Sequence, residues 1–464
     1  MNEGRWDGPE AVARRLADRA RSLSGDDTRP AFPPVEPARR VDPHDAFARA
    51  IETPEAVEGP LGDLDVSTKD NVAVRGVTHR AGTGGLAWEP THDATVVERL
   101  RAAGADLVGT TRMDPFALGV TGEACVAGRT ENPTVPGAVP GGSSSGSAAT
   151  VATGAADASL GTDTAGSVRV PAAFCGVVGV KPTFDLVPRT GVLDLAPTLD
   201  HVGVLAEDVE TASRVLEVVS GGDPLRPATA HAERLSLAES LDSRLGRVRV
   251  GVPEPFVGAA GTGVRATFEG TLAELSGRPG VTVERVAFPE HDDARILNQL
   301  HTLREFAELR ERGGHPVGDG RFPEMRAALS TSLAEADVPP RVRRLAAAGE
   351  RLRTEGRDAY GAAWDARRRQ VRRVEACFDR VDVLATPTTP VTAPAFGTVG
   401  DRAGHDVSPA EIVSNTAPFN NTGSPAVSVP CGRHAGSPVG LQIAAPRGED
   451  ALALRVALAV ERLD

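Results

Sequence analysis

The chain has 464 residues, enough to bury a substantial core as one large unit or as two or three ordinary ones. Its 63 acidic and 51 basic residues give a net charge of −12, which argues against nucleic acid or an anionic membrane as a partner because such surfaces repel an acidic protein. Four widely separated cysteines form no CxxC pair, no apolar run is long enough to cross a membrane, and Met1 to Glu10 lacks the core of a signal peptide, so a soluble cytoplasmic protein with free thiols is expected.

Between Pro9 and Ser24, Val12, Leu16 and Ala20 recur among arginines at helical spacing, which predicts an amphipathic helix packed outside the main body. A proline-rich connector from Arg29 to Arg39 follows, and residues 1–60 read together as a helical segment and connector preceding a domain over 61–464. From Leu61 short Val/Leu-rich runs such as Leu64 to Asn71 and Ala105 to Gly109 alternate with helical stretches such as Ala94 to Ala103, the rhythm of an α/β sheet protein, as far as Val219. Arg247 to Pro253 and Val281 to Phe288 read as strands around a helix from Gly263 to Leu275. A helix-rich stretch from His291 to Phe378 is broken by Gly, His and Pro between Gly313 and Phe322. Val381 to Thr386 reads as a strand, Asp401 to Ile412 as a mobile loop, Ala426 to Pro430 and Val439 to Ala444 as paired strands, and Ala451 to Leu463 as a closing helix. The charges from Arg341 to Arg373 alternate in sign and read as a solvated helix face. With no repeat and no long polar linker, the predicted fold is a single large α/β/α domain: a mixed twisted sheet flanked by helices on both faces, with strands of 61–210 pairing with those of 380–445.

Only two of the 51 basic residues are lysine, Lys69 and Lys181. A guanidinium keeps its proton in any protein setting, whereas a buried ammonium can lose it and act as a base, so a lysine kept against this background of arginine points to proton transfer, with Lys69 the better placed. Two Ser/Gly tracts follow it, Gly141 to Ser147 and Gly161 to Ser167. Around Ser167 the backbone is nearly free of bulk, so that consecutive N–H groups can point at one oxygen, which is how an oxyanion hole is built. One lysine and two serine clusters point to acyl transfer without histidine. His201, inside Leu199 to Gly203, reads as a hydrogen-bonded structural residue. Neither lysine follows a glycine as a phosphate loop requires, the ten histidines show no HExxH spacing, and no metal or cofactor is expected. Gly142 to Gly146 does fit GxSxG, which would make Ser144 a nucleophile, but three prolines between Asn132 and Pro140 forbid the buried strand that such an elbow must leave.

Taken with Lys69-Asp-Asn71, Asp93-Ala-Thr95, Met113-Asp114, Thr121-Gly-Glu123, Gly179-Val-Lys-Pro-Thr183, Thr386 to Pro390, Asn415 to Asn420 and Pro438 to Gln442, these tracts identify the chain as a member of the amidase signature family, hydrolases with a Ser-cisSer-Lys triad. The resemblance is densest over 61–210 and implies a catalytic core there. It implies Lys69 as base, Ser143 as the bridging serine with a cis peptide, Ser167 as nucleophile, and the backbone N–H groups of Thr164, Ala165, Gly166 and Ser167 as the oxyanion hole. Ser144, Asp163 and Arg169 would support the site, Lys181 would be structural, and Met113, Thr121 and Gly122 would touch substrate. Ala165 and Ser145 stand where the family often has glycine, which puts substrate size in question. The implied activity is hydrolysis of the C–N bond of a linear amide through an acyl-enzyme, on a small-molecule substrate, with neither nucleic acid nor membrane and with a homodimer as a compatible assembly. Other readings are a carbamoyl or ureide hydrolase, the A subunit of a glutamine-dependent tRNA amidotransferase, and a catalytically dead scaffold. Against the amidotransferase reading, Val170 precedes Pro171 where that protein carries glutamine. Specificity is expected around Met113 to Cys125 and in the 313–322 and 401–412 loops.

Overall fold

The computed structural model describes residues 9–23, 32–33, 35–38, 41–53, 57–226, 229, 232–242, 245–288, 291–312, 321–330, 335–400 and 405–463. They fall into two units, residues Met1–Pro33, which hold the predicted helix as Pro9–Leu23, and Pro34–Asp464.

The larger unit is built on one sheet of twelve described strands: β1 (Glu36–Pro37), β2 (Phe47–Glu52), β3 (Asp65–Lys69), β4 (Asp106–Thr111), β5 (Ala158–Asp163), β6 (Val178–Lys181), β7 (His201–Ala206), β8 (Val248–Pro253), β9 (Val281–Val286), β10 (Val383–Pro387), β11 (Ala426–His434) and β12 (Ser437–Ala444). Their order is β1-β2-β4-β3-β5-β7-β6-β11-β12-β10-β8-β9, with parallel and antiparallel pairs mixed. Every residue of β5, β6 and β7 is buried, so their polar members, among them Thr162, Asp163, Lys181 and His201, must find partners inside the protein. The two halves of the chain meet where β6 pairs antiparallel with β11, Val180 opposite Val427, as the sequence predicts.

The boundary at residue 60 is corrected. Residues 36–37 and 47–52 are not connector but the edge of the sheet, β2 pairing with β4 and burying Phe47 and Ile51. Prolines that read as a linker are tolerated there because an edge strand needs only one side of its backbone paired. The 401–412 segment is corrected as well: 401–404 lie outside the described residues, but Pro409–Ile412 is a short helix whose first turn is capped by the Ser408 hydroxyl and whose Ile412 is buried. No helix among the described residues is long and apolar enough to cross a membrane.

Three features of this architecture place the site. β3, β4 and β5 are parallel, so their C-terminal ends open on one side, and Lys69 closes β3 beside the end of β5. Small residues let the helix Ser145–Ala152 lie close under that end, with seven of its eight residues buried. Above it, the helices His291–Arg312 and Pro340–Thr354 are pressed together at Gly349, where an added Cβ would fall 2.2 Å from the Leu303 carbonyl oxygen. Gly349→Ala should therefore lower the unfolding free energy by about 1–3 kcal/mol in a urea titration, even though alanine favours a helix over glycine by about 1 kcal/mol. A stabilised variant would show that the two helices have room to spare.

Candidate active site

Lys69 is fully buried, and its Nζ lies 2.7 Å from Ser143 Oγ and 2.8 Å from Thr162 Oγ1. Asn71 Nδ2 donates to that same threonine hydroxyl at 3.3 Å and to the Leu193 carbonyl at 3.2 Å, fixing it in place. Burial drives the lysine pKa down, the neighbouring carboxylates of Asp114, Asp163 and Asp200 pull it part of the way back, and the balance lies at about 7. At neutral pH a large fraction of Lys69 is thus uncharged and able to accept a proton. Lys181 is equally buried but donates to the carbonyls of Pro182 and Ser424.

The Gly142–Ser143 peptide is cis. Behind it sits the buried Asp114, whose carboxylate accepts the N–H groups of Gly122 and Ala124 and whose own N–H donates to the Ser143 carbonyl. A Cβ on Gly142 would lie 2.2 Å from Asp114 Oδ2, so only glycine fits. Ser144 donates to the Thr162 carbonyl, and its N–H donates to the carbonyl of Ser167, which ties the two serine tracts together.

The turn after β5 is held by its carbonyls. Thr164 O accepts Asn298 Nδ2 at 2.9 Å, Ala165 O accepts the Thr416 hydroxyl at 2.5 Å, and Gly166 O accepts Val170 N–H at 2.7 Å. No N–H group of residues 164–167 donates to a protein acceptor among the described residues. Gly166 has φ of +140°, and a Cβ there would fall 2.2 Å from Thr416 Oγ1, so the turn can only be made with glycine at this position. Thr164 also donates from its hydroxyl to Asp200 at 2.6 Å. That buried carboxyl, which accepts two further N–H groups, is pushed up to about 7 by burial and by Asp194.

Under the turn lies an ion pair with no access to solvent. Arg169 uses all five of its N–H donors: Nε and one Nη2 hydrogen on the Asp163 carboxylate, the others on Thr416 O, Gln442 Oε1 and Asn420 Oδ1. Burial alone would raise the Asp163 pKa, but the guanidinium charge and its hydrogen bonds, helped by Lys181 and Asn420, hold it well below the usual carboxylate range. His201 is buried beside this cluster, its Nδ1 2.7 Å from the Leu199 carbonyl, and burial keeps it neutral.

Thr164, Ala165 and Ser167 open onto a cavity of about 140 Å³. Its walls are mainly apolar, with Leu118, Val120, Leu195, Leu303, Leu345 and Val413, and its polar side carries Asn298, Gln299, Thr302, Arg295 and Arg341. Met113, Thr121 and Gly122 do not line it; Thr121 and Gly122 pack behind the cis peptide and Met113 faces a separate small cleft, while Ala117 to Val120 form the wall instead. Pro409 and Ala410 of the 401–412 loop do line it. Of the 313–322 loop, 313–320 lie outside the described residues, and Arg321 and Phe322 meet Glu98 and His92 away from the cavity. Arg341 and Arg367 correct the solvated-face expectation: the first lines the cavity and the second is buried on Thr198 and Asn421. Thr162, Asn71 and Thr416 lie within the tracts and motifs named above without being singled out there, and Asp200 and Asn298 carry no sequence signal that separates them from ordinary polar residues.

The amidase family model matches residues 32–454. The chain belongs to the amidase family. It is 39% identical over 431 residues to the A subunit of glutamyl-tRNA(Gln) amidotransferase from Natronomonas pharaonis, covering 90% of this chain and 99% of that relative. Among solved structures, the A subunit of the Thermotoga maritima glutamyl-tRNA(Gln) amidotransferase superposes with a TM-score of 0.76 at 31% identity, covering 91% of this chain and 88% of that one. A 6-aminohexanoate cyclic dimer hydrolase does so with 0.76 at 30% identity, covering 88% and 86%. An amidase-family enzyme acting on C–N bonds is therefore established, and one expectation falls. The expectation of a small-molecule substrate with no nucleic acid does not stand, because relatives matched along nearly their whole length are named as subunits of a tRNA amidotransferase. Net charge sums over the whole surface and is blind to a partner met at one face or through another protein of a complex.

Removing the guanidinium with Arg169→Ala should cost about 3–5 kcal/mol of stability by leaving a buried carboxylate without its ion-pair partner, read as a lowered midpoint in denaturant unfolding. An unfolding curve that matched the parent would show that Asp163 is satisfied without Arg169.

Proposed function

We propose that the chain cleaves an amide C–N bond through an acyl-enzyme on Ser167 and supplies the released ammonia within an amidotransferase of the glutamyl-tRNA(Gln) type. Neutral Lys69 accepts the Ser143 proton while Ser143 takes that of Ser167, so the Ser167 oxygen attacks the amide carbonyl. The N–H groups of the 164–167 turn bind the oxygen that becomes negative. The proton returns along the same path to the leaving nitrogen, the C–N bond breaks with release of ammonia, and water then cleaves the acyl ester. Asp163 and Arg169 hold the turn from below.

The observation carrying this reading is the agreement between the relatives, which cover the chain nearly end to end, and a neutral-capable lysine on Ser143. The apolar cavity walls favour a second reading, a hydrolase of amides with a bulky apolar acyl group, and the likeness to the cyclic dimer hydrolase supports it too. A panel of glutamine and aliphatic, aromatic and ureido amides, scored for ammonia or amine release, separates the two. It should be run on the chain alone and on the complex recovered from its own cells. Glutamine preferred, with higher turnover in the complex, is the result expected. Greater turnover of a branched or cyclic amide by the chain alone would favour the second reading.

The base assignment has its own test. Only uncharged Lys69 can accept a proton, and below its pKa of about 7 that fraction falls about tenfold per pH unit. The kcat/KM profile should show an acid limb of unit slope bending at about 7, and Lys69→Arg should be as inactive as Lys69→Ala because a guanidinium cannot give up its proton. A profile flat across neutrality, or an active arginine variant, would remove Lys69 from this role.

A further inference from the structure

The peptides of the 164–167 turn are trans, since the cis bond lies at Gly142–Ser143. In a trans peptide the C=O and the following N–H point in opposite directions on one rigid plane, so anchoring a carbonyl aims the next N–H the other way. Thr164 O is anchored by Asn298, which aims Ala165 N–H. Ala165 O is anchored by Thr416, which aims Gly166 N–H, and Gly166 O by Val170, which aims Ser167 N–H. Thr416 and Val170 face the turn from parts of the chain that share the Arg169 cluster or follow it directly. Asn298 is different: it belongs to the helix His291–Arg312, whose Arg295, Gln299, Thr302 and Leu303 wall the cavity beside it.

We propose that Asn298 is a positioning residue that couples the substrate-lining helix to the oxyanion turn by orienting the Thr164–Ala165 peptide. Its side chain is 3% exposed and fixed on every side. Nδ2 donates to Thr164 O at 2.9 Å and to Asn421 Oδ1 at 3.2 Å, and Oδ1 accepts the Thr302 hydroxyl at 3.5 Å. Asn421 is in turn locked by donating to Ala294 O, one turn before Asn298 on the same helix, and to Gln370. An acyl group that seats against Arg295, Gln299 and Thr302 therefore bears on the same helical turn that sets the direction of Ala165 N–H. A substrate that fits poorly there displaces the donor as well as losing contacts, so selectivity appears in the chemical step.

This inference rests on Ser167 being the nucleophile, and the experiment keeps the two separate. Asn298→Ala and the isosteric Asn298→Asp, which as a carboxylate cannot donate to a carbonyl and keeps the volume, are compared with the parent and with Ser167→Ala above neutral pH. Both Asn298 variants should lose about 10- to 100-fold in kcat with KM held within about twofold. Affinity for a boronic acid that forms a tetrahedral adduct on serine should fall by the same factor as kcat/KM, while Asn298→Asp, though less stable, still unfolds in a single cooperative transition. A raised KM with kcat retained, or an unchanged boronate affinity, would reduce Asn298 to a simple cavity contact and overturn the proposal. If Asn298→Ala does not fold, Asn298→Asp carries the test. Turnover retained in Ser167→Ala would instead overturn the reading of the site.

Discussion

The Asp163–Arg169 pair is the point on which the rest of the site hangs. Both side chains are wholly removed from water, and moving a carboxylate and a guanidinium into such a place is unfavourable unless every donor and lone pair finds a partner. Here each does, and the partners come from widely separated parts of the chain: Thr416, Asn420 and Gln442 on one side and the strand end of β5 on the other. The pair thus joins the two halves of the fold at the base of the turn that bears Ser167. It also leaves no slack in that turn, because Val168 N–H donates to the same Asp163 carboxylate. Rigidity of this kind is what an electrostatic site needs, since donors that must reorganise during a reaction lose much of their advantage.

The same burial governs the lysine. Desolvation acts against its charge, while three carboxylates within reach act for it, and neither wins outright. Asp114 sits in the same competition, burial raising its own pKa while the N–H groups of Gly122 and Ala124 lower it. A neutral-capable amine arises from competing environments with no further device, and it is poised where it can both take and return a proton.

How far this can be read from residues alone differs by kind of signal. Lys69 stands out because arginine fills nearly every other basic position, and Ser143 and Ser167 because Gly/Ser tracts surround them. Strands with continuous apolar runs are legible, whereas β1 is hidden by prolines that an edge strand tolerates, and although the pairing of the two halves is foreseen, the full strand order is not, because it joins segments far apart in the chain. Thr162 and Asn71 look like ordinary strand and turn residues until the fold sets Thr162 Oγ1 on Lys69 Nζ and Asn71 Nδ2 on that same hydroxyl. Thr416 acts on a carbonyl 251 positions away, a relation no local pattern contains. The arginines at 341 and 367 mislead because an alternating charge pattern describes a helix's composition and not which of its residues turn inward.

The helices from His291 to Phe378 leave the sheet after β9 and return at β10, and in the strand order only β8 lies between those two. Topologically they are an insert at one margin of the sheet, while the lysine and both serines lie in the other half. The entropy of closing such an insert grows only slowly with its length, so it can be lengthened, shortened or exchanged with little consequence for the register of the strands. A lineage can therefore change what its enzyme recognises without touching the residues beside Lys69, and grafting helices between relatives becomes a practical way to redesign recognition. The graft is not wholly free, because whatever replaces the insert must still offer a hydrogen-bond donor to the Thr164 carbonyl.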